Sequence, residues 1–341
     1  MAMNVRLCRD GDEWEALAKR CPYATVFHGW KFLSAVARHT KTEFFPLAGF
    51  DGTNPIGLYP LYRKKVPFCS AVFSPPQRAG IPYLGPLILD YDKLKLSKRQ
   101  GVFLEFQKEA DRYISKVLKA GYTFIITAPG LDDARPLRWS GYSIAPFYNY
   151  RLELSCGPEA LRSGLRKKLR SAISQGLGPG ESIREGGREE LCALCDLLSD
   201  RYSEQGRTFD LSKEYLLEVY DCLPKEAKRL YVVDKGGKAE CGMLDLCRGG
   251  VVSGWVGNPK PKDARNNLTD VLQWHSIESA CRGGAQVYEE IGANTERLCR
   301  YKSKYGFFPS MHYGAKKYTP LGWLAENAYK GFVKKVVPGW N

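Results

Sequence analysis

Histidine is scarce in this chain, with four residues in 341 against 51 lysines and arginines. They stand at His28, His39, His275 and His312. None is spaced from a cysteine or carboxylate as a metal ligand would be, which argues against a structural zinc site. No apolar run reaches the ~18 residues that would read as a membrane-spanning helix. No secretory leader is legible: Asp10, Asp12, Glu13 and Glu15 come early, and no apolar stretch follows Arg6. The phosphate loop, the G-x-G-x-x-G turn after a strand and the G-x-S-x-G nucleophile elbow are all missing, which excludes the signatures of several nucleotide-binding and hydrolase families. The eleven cysteines are scattered through predicted helices and strands, as in reduced thiols of a cytoplasm and not a disulfide framework. Cys192 and Cys195 do form a C-x-x-C, but Leu191, Leu194, Leu197 and Leu198 around them make it a packed helix face.

What is present is a basic chain long enough for two domains. Its hydrophobic fraction of 44% supports a packed core. The net charge of +14 attracts polyanions: tRNA, the phosphates of coenzyme A, anionic lipid headgroups, or a diphosphate-bearing precursor. The first half alternates helix and strand. Trp30, Leu33, Val36 and Ala37 give a helical face. Strands near Phe44–Phe50 and Pro55–Tyr62 flank a turn at Asp51-Gly52. A rigid stretch holding Pro75, Pro76, Gly80, Pro82, Gly85 and Pro86 follows, then a helix over 103–120 and a strand over 122–127. The second half opens on ALRSGLRKKLRSAISQG, read as one helix. Leu161, Leu165, Leu169 and Ile173 line one face; Arg162, Arg166, Lys167, Lys168 and Arg170 crowd the rest. A glycine-rich break over 176–187 precedes a helix over 189–205. Strands are expected at 229–234, 240–247 and 251–257.

The most informative stretch is VYEEIGANTERLCRYKSKYGFF, from Val287 to Phe308. It reads as a strand over Val287–Ile291, a break at Gly292, and a helix capped by Asn294 and stopped by Gly306. Alternation puts Tyr288 and Glu290 on one strand face. Leu298, Tyr301 and Tyr305 are expected to face the core, with Lys302 at the margin of that stripe, partly withdrawn from water. The final segment, WLAENAYKGFVKKVVPGW, offers an apolar face of Trp323, Leu324, Ala328 and Phe332 beside Lys330, Lys334 and Lys335. Such a helix docks on its own protein or lies on an anionic membrane.

A strand with a Tyr-acidic pair, a glycine turn and an aromatic-Lys-x-x-aromatic-Gly helix resembles the C-terminal signature of the FemABX family, tandem acyltransferases of the GNAT superfamily. The run upstream, from Trp255 through WHSIESACRGGAQ, is similar to the family's strand, loop and helix in the same order. The basic helix resembles the one that opens the family's second lobe. YLGPL, holding Tyr83, resembles its Y-x-x-G-P segment with one residue fewer, and the Trp30 helix with its hairpin looks like the opening of the first lobe. No coiled-coil insertion appears, as in the compact FemX-like form. The pyrophosphate loop of ordinary GNAT enzymes, Arg/Gln-x-x-Gly-x-Gly/Ala, is not visible; FemABX members also lack a tidy one.

The resemblance implies an α/β fold of two GNAT-like lobes, each a mixed sheet flanked by helices, with a cleft between them. Residues 1–150 would form the first lobe, with 318–341 packing back on it, and 151–317 the second, which would carry the transfer site. It implies transfer of an aminoacyl group from aminoacyl-tRNA, or of an acyl group from acyl-CoA, onto an amine of a peptide, a cell-wall-type precursor or a similar acceptor. No tightly bound cofactor or metal is expected. Carried over by position, Lys302 would stabilise the acyl carbonyl or the donor's phosphates, Tyr301 would position the donor, and Glu290 would accept a proton or orient the amine. Arg207, Trp30, Tyr83 and Arg166 are candidates for substrate binding. The family's substrate lysine in the first lobe is left open among Lys31, Lys41, Lys64 and Lys65. A non-catalytic polyanion binder, holding RNA or anionic lipid, is the alternative from another class. The expected location is the cytoplasm, with contact at the inner membrane face as an option.

Overall fold

The structure, a computed structural model, describes residues 3–66, 69–257, 259, 267–292 and 296–324. The helix cap expected at Asn294 and the tail beyond Leu324, including Ala328 and Phe332, lie outside the described residues. The chain forms two compact units, Met1–Pro146 with His312–Asn341, and Phe147–Met311. The boundaries expected at 150/151 and 317/318 fall inside two long strands that run from one unit into the other.

The first unit runs β1 (Met3–Leu7), α1 (Gly11–Ala18), α2 (Trp30–Thr40), β2 (Glu43–Asp51), β3 (Asn54–Val66), β4 (Cys69–Ser74), β5 (Leu87–Ile88), α3 (Leu96–Lys116), β6 (Ala120–Ile126) and α4 (Arg135–Trp139). Asp10 starts α1 by accepting the amides of Asp12 and Glu13 at 2.8 and 3.4 Å. Gly52, with φ of +60°, closes the β2–β3 hairpin. Gly49 and Gly57 on that hairpin leave room for the Phe106 ring of α3, which a Cβ at either position would meet at 2.4 or 2.6 Å. This close seat fixes helix to sheet.

The chain continues through β7 (Ser143–Glu153), α5 (Pro158–Gly164), α6 (Lys167–Gln175), β8 (Glu181–Glu185), α7 (Arg188–Ser203), α8 (Lys213–Cys222), β9 (Lys228–Lys235), β10 (Lys238–Arg248), β11 (Val251–Gly257), α9 (Leu268–Arg282), β12 (Val287–Glu290), α10 (Glu296–Lys302) and β13 (Phe308–Tyr318). A single 3-10 turn, Ser303–Tyr305, follows α10 and ends at Gly306, whose φ of +86° only glycine adopts cheaply.

The sheet of the first unit is ordered β1-β2-β3-β4-β6-β13, with β5 beside β3. The first four strands are antiparallel, β6 is parallel to β4, and β13 is antiparallel to β6. The sheet of the second unit is ordered β8-β9-β10-β11-β12-β7. Here too four antiparallel strands are followed, across helix α9, by a parallel strand and then an antiparallel one. Two helices lie between the first and second strands of each set. The architecture is thus one mixed α/β plan used twice.

Three expectations are corrected. The basic helix expected over 160–176 is two helices, because Leu165 and Arg166 take extended angles between them. Arg170 reaches back to accept no bond but to donate to the carbonyls of Ser163 at 2.6 Å and Leu165 at 2.9 Å, so it caps the first helix where Gly164 weakens it. Leu298 does not face the core; it is exposed, while Tyr305 is buried. The glycine-rich break over 176–187 contains the edge strand β8, whose charged sequence ESIRE hid it.

Candidate active site

The second unit places its polar interior where β10, β11 and β12 meet under α9. The β11–β12 ladder is parallel and ends with Gly254 opposite Glu290. Beyond it β11 runs on to Gly257, paired to β10 alone, with Trp255 as the extra residue of a bulge. A parallel strand end of this kind is where open α/β sheets take ligands. Gly254 is the central position. A Cβ there would stand 2.8 Å from Oε1 of Glu290, 3.0 Å from the Met243 methyl and 3.1 Å from the Tyr288 hydroxyl. Glycine therefore lets three side chains converge over the strand.

Glu290 and Lys302 form an ion pair at 3.3 Å, with side chains 9% and 10% exposed. The ammonium also donates to the carbonyl of Gly292 at 3.1 Å and to that of Ile291. Those two carbonyls have just left the ladder, so the lysine satisfies backbone groups that the strand end orphans. Asn149 accepts the Gly292 amide at 3.1 Å and holds the same turn from the other side. Gln273 on α9 donates to Glu290 at 2.8 Å and lies 3.4 Å from the Tyr288 hydroxyl. Tyr288 in turn donates to Asp245 at 3.0 Å, the Ser276 hydroxyl donates to the same carboxyl group, and the two hydroxyl oxygens stand 2.8 Å apart. Burial pushes the Asp245 carboxyl up to about 7, and the bonds from Ser276 and Tyr288 only partly oppose it.

Tyr301 lies beside this network. Its hydroxyl stands 3.1 Å from that of Tyr305, and the Lys304 ammonium stands 4.2 Å from its ring centre. Burial holds the Tyr301 phenol well above its ordinary value. Asp270 on α9 fixes the pair by accepting from Tyr305 at 2.8 Å and Lys304 at 2.5 Å. Among the described residues no three His, Cys, Asp or Glu side chains converge as metal ligands. The arrangement offers one held cation, two buried carboxyl groups and a ring of hydroxyls at a strand end, which suits acyl chemistry at a carbonyl.

Residues 160–303 match the family model of an acetyltransferase (GNAT) domain, a span that contains every residue of this network except Asn149, Lys304 and Tyr305. The crystal structure of FemX superposes with a TM-score of 0.72 at 15% identity, over 95% of this chain and 99% of that one. The chain has a FemX-like GNAT fold. The C-terminal domain of a putative lysylphosphatidylglycerol synthetase from Agrobacterium fabrum has a TM-score of 0.57 at 12% identity, over 95% of this chain and 98% of that one. L-PGS from Bacillus licheniformis has 0.55 at 15%, over 91% and 92%. No curated protein matches the sequence.

Within this FemX-like fold the expected site residues separate into three groups. Lys302 and Glu290 are brought together, with Tyr301 on the same helix. Arg166 and Arg207 belong to the same unit but make no hydrogen bond or ion pair with them. Arg166 is exposed just before α6, and Arg207 is exposed with its guanidinium 5.8 Å from the Tyr202 ring. Trp30 and Tyr83 belong to the first unit. Trp30 packs on Trp14 and Phe44, with ring centres 6.0 and 5.7 Å away. Tyr83 is buried between Phe27 and His312, at 5.8 and 5.7 Å.

Sequence reasoning missed Asp245, Ser276 and Gln273. One signal was there: Asp245 is a lone carboxylate inside the apolar run GMLDLC of a central strand, where an acid is costly without partners. Ser276 and Gln273 sit three residues apart on α9 and so share its inner face. Nothing in their spacing marks them off from an ordinary helix.

Proposed function

We propose that this protein is an N-acyltransferase that moves an aminoacyl group from aminoacyl-tRNA, or a simpler acyl group, onto an amine of a peptide, a cell-wall-type precursor or a similar acceptor. The observation that carries the reading is the buried Lys302–Glu290 pair at the end of β12, inside the stretch matched to the acetyltransferase domain. In the reaction the amine nitrogen attacks the acyl carbon and a C–N bond forms. The ester C–O bond of the donor breaks, the amine loses a proton and the leaving oxygen gains one. Charge builds on the carbonyl oxygen, and a fixed cation in a low-dielectric site lowers that barrier. Lys302 is that cation. Two of its hydrogens go to the carbonyls of Ile291 and Gly292 and Glu290 stands 3.3 Å away, so it acts chiefly through its field. Glu290 holds it in place and orients the incoming amine; Tyr301 lines the donor.

The fold shared with a putative lysylphosphatidylglycerol synthetase supports the aminoacyl branch. The match to an acetyltransferase domain supports a second donor, acyl-CoA, whose C–S bond would break in place of the ester. The two are separated by incubating the protein with aminoacyl-tRNA or acyl-CoA pools and weighing candidate acceptors by intact mass. The mass gained names the group and the pool that supplies it names the donor. An acceptor left unchanged by every pool would overturn the transfer reading in favour of a polyanion binder.

A further inference from the structure

A cavity of about 500 Å³ opens into the second unit between α9 and the sheet, near the β10–β11 turn and the end of α9. Its volume is that of a small-molecule site. Besides Asp245 its charged lining residues are Glu226, Arg229 and Arg248, and Tyr231, Val252 and Ala280 line its walls. The inner end is polar: it is made by Asp245 and Ser276, both buried.

Asp245 lacks the partner that such a position requires. Its bonds come from the hydroxyls of Ser276 and Tyr288, and among the described residues no cation forms an ion pair with it. Arg229 is its direct partner in the β9–β10 register and is the obvious candidate. That guanidinium instead donates to the carbonyls of Lys225 and Lys228, at 2.6 and 2.8 Å. Two hydroxyl donors do not offset the desolvation of a carboxylate, and its high proton affinity is the consequence. A ligand that brings a positive charge to the inner end would restore the balance. A single carboxylate with two hydroxyls is too sparse a set for a metal ion but suits three ammonium hydrogens.

We propose that this cavity binds a primary aliphatic amine in its ammonium form, with the cation on Asp245 and Ser276 and the carbon chain along Tyr231, Val252 and Ala280. A nitrogen held as ammonium has no lone pair, so the cavity recognises a charged group and does not seat the nucleophile. The inner end of the cavity adjoins the Lys302 pair, since Tyr288 bonds to Asp245 and Gln273 reaches both Tyr288 and Glu290. By register Asp245 lies opposite Gly254, and Gly254 opposite Glu290, so the two carboxylates stand two strands apart, about 10 Å at the backbone.

The test is titration calorimetry of the full chain with n-pentylamine and with pentan-1-ol, its neutral counterpart, near pH 8, where the amine is charged. The amine is expected to bind one per chain, and the alcohol about ten-fold more weakly or worse, because only the amine makes a charge-assisted bond. Asp245→Asn should weaken pentylamine about ten-fold and leave pentanol unchanged. Ala280→Trp, which fills the cavity from its wall, should abolish binding of the amine. Equal binding of amine and alcohol, no binding by the wild type, or undiminished amine binding in either variant would overturn the proposal. Should Asp245→Asn lose its cooperative melt, the wild-type comparison and Ala280→Trp still decide. Binding is read here without turnover, so this result and that of the transfer assay stand or fall separately.

Discussion

Lys302 donates to the carbonyls of Ile291 and Gly292 and forms an ion pair with the Glu290 carboxylate. Removing it therefore does more than remove a charge from the reaction: it leaves Glu290 buried without its cation. Lys302→Ala should cost about 3 kcal/mol of stability, the lower end for breaking a buried pair. Adding Glu290→Gln should restore part of that, since the neutral amide needs no cation; chemical denaturation of the single and double variants checks both. Gly292, with φ of +80° and open space around its Cα, isolates backbone strain from packing. Gly292→Ala should cost about 1–2 kcal/mol in the same measurement, and a neutral result would mean that the turn is not held left-handed. At this scale the sequence was half legible. Lys302 and Glu290 follow from a motif with fixed spacing in one segment. Asp245, Gln273 and Ser276 reach the same network from a strand and a helix far apart in sequence, and only the fold brings them there.

Among the elements, α5 and α6 carry the most concentrated exposed charge. The break between them divides their cations by task. Arg170 is tied to the carbonyls of Ser163 and Leu165, and Arg162 to the Ser174 hydroxyl at 3.0 Å, while Arg166, Lys167 and Lys168 are exposed at the start of α6. If the donor is aminoacyl-tRNA and this face holds its phosphates, replacing those three by glutamine should flatten the salt dependence of tRNA binding. The slope of log affinity against log salt should fall by about 0.7–0.9 per lost contact. An unchanged slope would assign the phosphates elsewhere. The elements themselves were mostly readable, because periodicity and turn glycines mark α2, the β2–β3 hairpin, α7 and β9 to β11. The break at Leu165–Arg166 was not, since leucines at positions 161, 165 and 169 keep their helical spacing across it. Nor was β8, where edge position rather than apolar alternation makes the strand.

For the whole molecule, the repeated α/β plan was legible from a resemblance and not from composition, since the two halves share topology without shared motifs. The sixth strand of each sheet could not be assigned in advance, because β7 and β13 each run from one unit into the other. Stability should carry a pH signature of Asp245. Its carboxyl is raised from 3.8 to about 7 on folding, so between those values the folded chain holds a proton that the unfolded chain releases. Its contribution is thus complete below about pH 4 and is lost as pH rises through about 7, an effect on the order of a few kcal/mol. The difference in stability between wild type and Asp245→Asn should shift in that window, and a flat difference would mean that Asp245 is ionised throughout. No helix among the described residues is long and apolar enough to cross a membrane.

The central claim is that a lysine fixed at the end of β12 assists transfer of a carbonyl onto nitrogen. The most direct measurement is the intact mass of acceptors after incubation with each donor pool, for wild type and for Lys302→Ala, at a temperature where both melt cooperatively from a folded baseline. The account predicts a mass gain with wild type that falls about 100-fold or more in rate with the variant. A folded Lys302→Ala protein that modifies the acceptor at the wild-type rate would contradict it.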